Sequence, residues 1–145
     1  MKLLVLNGPN LNLLGLREPD LYGSASYDAL VELIRSHCQA KGINVEIRQS
    51  NHEGVLVDLI QEAYGRYDGI VINPAAYTHT SIALLDALKA IGLPAVEVHL
   101  TDIAGREPFR HISYAGMACI ATIKGKGFAG YLEAIDLLAS PKKDA

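Results

Sequence analysis

Residues 69–99 read GIVINPAAYTHTSIALLDALKAIGLPAVEVH, and this stretch decides the fold. Gly69 to Asn73 and Ala95 to His99 are short, nearly continuous apolar runs rich in Val and Ile, as expected of parallel strands covered on both faces. Between them Leu84, Leu85, Leu88 and Ile91 recur at helical spacing. Gly92 stops that helix, and Pro94 reinforces the stop just before the next strand. Strand, helix, strand in this order is the unit of a parallel sheet.

The alternation continues in both directions. Lys2 to Leu6 is a short apolar run, and Ala118 to Ile123 reads as a further inner parallel strand. Ile43, Val45 and Ile47 alternate with Asn44, Glu46 and Arg48, the pattern of a half-covered strand at a sheet edge. Helical periods join the strands: Leu30, Leu33, Ile34 and Cys38; then Leu56, Leu59, Ile60 and Ala63; and finally Leu132, Ile135 and Leu138. Gly42 closes the first of them. The expected architecture is α/β, a five-stranded parallel sheet in a flavodoxin-like three-layer fold, because a chain this short cannot supply a longer Rossmann sheet. One domain spans residues 1–145, with Ser140 to Ala145 as an unpacked, disordered tail.

Size and composition agree. A chain of 145 residues should bury roughly 68–70% of its unfolded surface in one core. Half the residues are hydrophobic and 20% charged, which excludes a disordered or collagen-like chain. The net charge of -3 has no long block of either sign, so the basic footprint of a nucleic-acid binder is missing. The first apolar run stops after four residues at Asn7-Gly8-Pro9, and no later run reaches the roughly 18 apolar residues of a membrane span. A cytoplasmic protein without membrane partners is expected. Cys38 and Cys119 lack CxxC spacing and read as buried, reduced, structural thiols.

In an open parallel sheet, ligands bind beyond the carboxyl ends of the strands, where the strand order reverses. Polar residues crowd those ends: Asn7, Asn10 and Asn12 after the first strand, Asn51, His52 and Glu53 after the second, Asn73 and His79 after the third, Glu97 and His99 on the fourth. Each singly is an ordinary loop residue; their convergence is the signal. Glu97 and His99 are two apart on a strand and project from one face, so the carboxylate can hold the imidazole tautomer and favour a general acid. Taken alone, the pair is equally a satisfied core histidine.

The connection from Asn7 to Ala25 exceeds the roughly 12–15 residues beyond which structureless loops are usually functional. It carries Arg17, Glu18, Pro19 and Tyr22 between Gly15 and Gly23, as an active-site lid would. There is no GxGxxG, no Walker lysine and no Ser/Thr-rich flavin-phosphate loop, so nucleotide binding lacks its motif. No two histidines fall at the spacing of a zinc ligand pair, and no metal is expected. Tyr22 is a candidate base. A phenol of pKa about 10 needs roughly two to three units of depression to work near pH 7 to 8, and a cation such as Arg17 within about 4–6 Å supplies 1 to 3. On the residues alone, a tyrosine that packs the loop beside a solvated arginine is the preferred reading.

Asn7-Gly8-Pro9-Asn10-Leu11-Asn12-Leu13-Leu14-Gly15, Arg17-Glu18-Pro19 and Tyr22-Gly23 closely resemble the amino-terminal motif of type II 3-dehydroquinate dehydratases. Gln49-Ser50-Asn51-His52-Glu53-Gly54, Asn73-Pro74-Ala75-Ala76-Tyr77-Thr78-His79-Thr80-Ser81 and Arg106-Glu107-Pro108-Phe109-Arg110 resemble further signatures of that family, in order and at matching spacing. The resemblance implies a flavodoxin-like, cofactor-free and metal-free hydro-lyase of the shikimate pathway that converts 3-dehydroquinate to 3-dehydroshikimate through an enolate. It implies Tyr22 as base, Arg17 as the cation that lowers its pKa, Asn10 as holder of the water that stabilises the enolate, and His99, oriented by Glu97, as acid. Asn73, His79 and Arg110 would bind substrate hydroxyls, and backbone amides of Leu100 and Thr101 its carboxylate. Asp86 matches a residue contributed by a neighbouring subunit, which implies a homododecamer, a tetramer of trimers. Asp102 departs from the usual asparagine and puts a charge near the carboxylate site unless it points away or pairs with Arg106 or Arg110. The reading set against this one is a non-catalytic flavodoxin-like module binding an anionic metabolite.

Overall fold

The computed structural model describes residues 1–16 and 25–140. Five parallel strands form one sheet: β1 (Lys2–Asn7), β2 (Asn44–Gln49), β3 (Gly69–Asn73), β4 (Ala95–His99) and β5 (Ala121–Lys124), in the order β2-β1-β3-β4-β5. This is the flavodoxin-like order expected from the alternation of elements. Among the described residues three helices connect them, α1 (Tyr27–Ala40), α2 (Glu53–Glu62) and α3 (Ile82–Ile91); β4 runs to β5 through 3-10 turns, and α4 (Ala129–Ala139) follows β5. Alternate residues of β1 divide between the two faces, as a period of two requires. Leu3 and Val5 pack with Leu30 and Ile34 of α1 and Ile135 and Leu138 of α4. Leu4 and Leu6 pack with Leu56 and Ile60 of α2 and Leu84 and Leu88 of α3.

Local signals set the helix ends. Ser26 and Ser81 cap α1 and α3 by accepting the amides of Ala29 and Leu84, at 3.1 and 3.0 Å, and Gly92 ends α3 in the left-handed region at φ 66°.

The end of the sheet differs from expectation. β5 begins at Ala121 rather than 118, because Ala115–Ala118 forms a 3-10 turn that tucks Ala115 into the core beside α3. β5 is also an edge strand rather than an inner one. Ile123 is buried on one side, whereas Thr122 and Lys124 are exposed or border solvent. Ser140 likewise belongs to the fold: its hydroxyl donates to the carbonyl of Asp136 at 2.9 Å. The rest of the expected tail, 141–145, lies outside the described residues. Burial raises the pKa of Cys38, and burial with the charge of Glu97 nearby pushes Cys119 up to about 12, so both are protonated thiols at neutral pH. Among the described residues no helix is long and apolar enough to cross a membrane.

Candidate active site

The strand order reverses between β1 and β3, whose following helices leave on opposite faces. Asn7 and Asn73 end these strands and lie directly opposite each other in register. Tyr131 of α4 ties them together: its hydroxyl donates to Asn7 Oδ1 at 2.7 Å and accepts from Asn73 Nδ2 at 2.9 Å. All three are buried, so every link in this network matters, since a buried polar group without a partner costs about 1–3 kcal/mol.

The two loops leaving the crevice are braced against each other. The Gly8 amide donates to Asn73 O at 2.8 Å, and a Cβ at Gly8 would fall 2.4 Å from Pro74 O, so only glycine permits this approach. Asn10 turns in the left-handed region at φ 69°, with its amide donated to Asn51 Oδ1 at 3.0 Å. Ala75 takes φ 52°, a conformation costing about 1–2 kcal/mol for a residue with a Cβ. Its amide is held there by Asn73 Oδ1 at 3.1 Å.

The result is a cleft of about 530 Å³ of empty volume, counting its open mouth, beyond the carboxyl ends of β1, β3 and β4. Of the expected site residues, Asn10, Asn73, His79, His99, Leu100, Thr101 and Arg110 all line it. Pro9, Leu11, Ala75, Ala76, Ile103 and Arg106 complete the wall, and all but Ile103 belong to the motifs quoted from the sequence. Glu97 lies below the wall behind His99. Asp86 is elsewhere, on the exposed side of α3 and not at this chain's own cleft. Arg17 and Tyr22, with the rest of 17–24, lie outside the described residues.

Glu97 is fully buried on the sheet face that packs against α2 and α3. Oε2 lies 3.1 Å from His99 Nε2, an ion-pair distance, although the ring N–H is not aimed along it and Nε2 has no aligned hydrogen-bond partner. Burial alone would raise the Glu97 pKa. The contact and charge of His99, followed by hydroxyls of Ser113 and Thr78, outweigh it and hold the carboxyl at about 2 instead of 4.5. Nε2 is the ring nitrogen on the carboxylate side, at ion-pair distance, so Nδ1 is the ring nitrogen left for chemistry in the cleft.

That depression has a sign that can be tested. A carboxyl whose folded pKa lies below its unfolded value adds stability that is complete above the unfolded value and lost as pH falls through the folded one. Glu97 is therefore expected to contribute about 3 kcal/mol that disappears between pH 4.5 and about 2. Acid unfolding followed by circular dichroism checks this: Glu97→Gln should be less stable at neutral pH but lose less stability across that window. An identical slope in both proteins refutes it.

His79 donates from Nδ1 to the carbonyl of Ile112 at 2.8 Å, since a carbonyl can only accept. Burial foremost, with His99 and Arg110 nearby, lowers its pKa despite that bond. A neutral ring with its proton on Nδ1 presents Nε2 as an acceptor, suited to a ligand hydroxyl. Arg110 is steadied by Glu107, Nε to Oε2 at 2.8 Å. Asp102 pairs with neither candidate arginine: it accepts the amide of Ala104 at 3.0 Å and lies 3.7 Å from Lys124 Nζ. Its charge is thus offset by a residue of β5. Among the described residues no group of three His, Cys, Asp or Glu side chains could hold a metal ion.

The hydroxyls around Glu97 escaped sequence reading, because Thr78, Ser113 and Thr122 come from separate segments. The available signal was strand register: Thr122 sits opposite Glu97 once β5 pairs with β4.

The model of the Dehydroquinase class II family matches residues 1–139. A 3-dehydroquinate dehydratase of Corynebacterium glutamicum (strain R) is 51% identical over 142 residues, covering 98% of each chain. The crystal structure of a type II dehydroquinase from Butyrivibrio crossotus superposes with a TM-score of 0.95 at 52% identity, covering 97% of this chain and 98% of that one. A type II dehydroquinase from Propionibacterium acnes superposes at 0.93 with 41% identity, covering 97% of each. With its fold and nearly its whole length matched in this way, the chain belongs to the class II dehydroquinase family.

Proposed function

We propose that the protein dehydrates 3-dehydroquinate to 3-dehydroshikimate, with Tyr22 as base and His99 as acid. Membership of the family supports the reaction. The single observation that supports the acid is the buried Glu97 carboxylate 3.1 Å from His99 Nε2 at the cleft wall. A carboxylate there stabilises the imidazolium, which delivers its proton to the departing hydroxyl from the other ring nitrogen.

In this reading the Tyr22 phenolate, kept ionised by Arg17, removes the proton beside the ketone. Charge then develops on the ketone oxygen as an enolate, and a water held by Asn10 donates to it. Anti elimination follows as His99 protonates the leaving hydroxyl. Splitting the elimination through an enolate replaces one hard step by two easier ones. Asn73, His79 and Arg110 orient the substrate hydroxyls, and the main chain at Leu100 and Thr101 takes the carboxylate, where backbone amides suit an anion. Asn73 holds its partners already, through Tyr131 and Ala75, which fixes its position in advance of ligand. Asp86, exposed on α3, serves the site of a neighbouring subunit in a homododecamer, and a cytoplasmic setting goes with this reading.

An absorbance assay tests reaction class and substrate together. Adding 3-dehydroquinate to the protein should generate the conjugated enone chromophore of the product, with no added metal or cofactor. Saturable binding of the compound without the chromophore would replace the dehydratase by a non-catalytic binding module.

A further inference from the structure

Glu97 places a full carboxylate in an otherwise apolar layer, and His99 alone does not satisfy it. Oε2 accepts from Thr78 Oγ1 at 2.5 Å and from Ser113 Oγ, and Oε1 accepts from Thr122 Oγ1 at 3.0 Å. The direction of these bonds is set by the ionised carboxylate, which can only accept. Ser113 Oγ also accepts the amide of Gly116 at 3.0 Å and lies 2.8 Å from Thr78 Oγ1, so the two hydroxyls brace each other beside the carboxylate. Gly116 keeps the space open: a Cβ there would fall 2.8 Å from Glu97 Oε1 and 2.9 Å from Ser113 Oγ. Thr78 is fully buried, and its carbonyl accepts the amide of Tyr114 at 2.7 Å, so the turn after β3 and the loop carrying Ser113 are locked together beside the carboxylate.

We infer that Thr78 and Ser113 are positioning residues, whose hydroxyls aim the Glu97 carboxylate at His99 and supply the donors its charge requires in this layer. Neither touches the cleft; both act through Glu97. The inference rests on the proposed dehydration, in which His99 is the acid. The titratable groups whose charges reach Glu97 are His99 on β4, His79 in the turn after β3 and Cys119 beyond the Ala115–Ala118 turn. Arg110 stands near His79, and Lys124, beside His99 in register, is engaged by Asp102. Cys119 is a protonated thiol donating to Ala115 O at 3.3 Å and offers the carboxylate no proton. The stabilising donors therefore come from the hydroxyls and the imidazole.

Carbon NMR of the Glu97 side-chain carboxyl, titrated in the free protein, reads this directly alongside steady-state kinetics. In Thr78→Val and in Ser113→Ala the carboxyl should titrate higher by about one unit or more, as loss of a hydrogen bond to a charged group implies. Turnover should fall by about tenfold or more with KM within about threefold, and Thr78→Ser, which keeps the hydroxyl, should recover most of the loss. An unmoved Glu97 titration in folded variants overturns the inference, as does a loss of turnover that Thr78→Ser fails to recover. If the wild-type protein does not dehydrate 3-dehydroquinate, the proposed function fails, while the carboxyl titration still decides whether these hydroxyls hold Glu97.

Discussion

Replacing Tyr22 by phenylalanine is expected to lower kcat by about three orders of magnitude while KM changes by no more than about threefold, since a positioned base contributes 10²–10⁴. The substitution removes one oxygen and keeps the ring, so whatever apolar contact the tyrosine makes with its loop or the substrate survives. What goes is the group proposed to take the carbon-bound proton. Bringing a phenol from about 10 to near-neutral pH takes roughly 3–4 kcal/mol, within the range of a guanidinium at about 4–6 Å, the role proposed for Arg17. Steady-state kinetics with the enone chromophore give both parameters. Residual activity within tenfold of wild type would remove Tyr22 from the role of base and return the search to the cleft itself, where His79 is the remaining neutral imidazole.

The second large effect concerns a glycine. Gly8→Ala should cost about 3 kcal/mol and lower Tm by about 10 °C, the scale of overpacking a buried contact in a domain of this size. The added methyl would lie 2.4 Å from Pro74 O and 2.7 Å from Pro74 C, both main-chain atoms that cannot rotate away. Relief requires the β1 and β3 loops to part, which breaks the bond from the Gly8 amide to Asn73 O and shifts Asn10 and Asn73 together. A displacement of about 1 Å in positioning groups is worth about 100-fold, so kcat/KM should fall by that order even in the folded fraction. Gly54→Ala is the control, because a Cβ there meets nothing within 4 Å on α2, and helix propensity should leave Tm equal or higher. Scanning calorimetry of the two variants checks both; a Gly8→Ala protein melting within about 2 °C of wild type would mean the loops tolerate separation.

The sheet was legible in sequence wherever burial on both faces left nearly unbroken apolar runs, as at β3 and β4, and wherever alternation marked an edge, as at β2. β5 misled because residues 118–123 are almost all apolar for two unrelated reasons. Its first residues close a turn that packs Ala115 under α3, and of the strand residues Ile123 alone is buried, with Ala121 half-buried against the same core. The Glu97–His99 pair was legible because a period of two puts both on one face. Its support was not: Thr78 and Ser113 are 19 and 16 residues from Glu97, in loops whose path no local pattern records. Tyr131 was missed for a similar reason. The helical stripe through Leu132, Ile135 and Leu138 gave α4 its period, yet the fully buried aromatic is the neighbour of Leu132, turned toward the crevice.

That same hydroxyl fixes when the crevice can exist. Tyr131 and Asn7 are joined across 124 positions of chain, and Asn73 waits on the same oxygen. During synthesis the first three strands can pair long before the last helix leaves the ribosome, but the two asparagines at their tips stay unclasped until it docks. Setting the tips of β1 and β3 is thus a late event within the chain, and a product shortened before α4 would lack the clasp between the two asparagines.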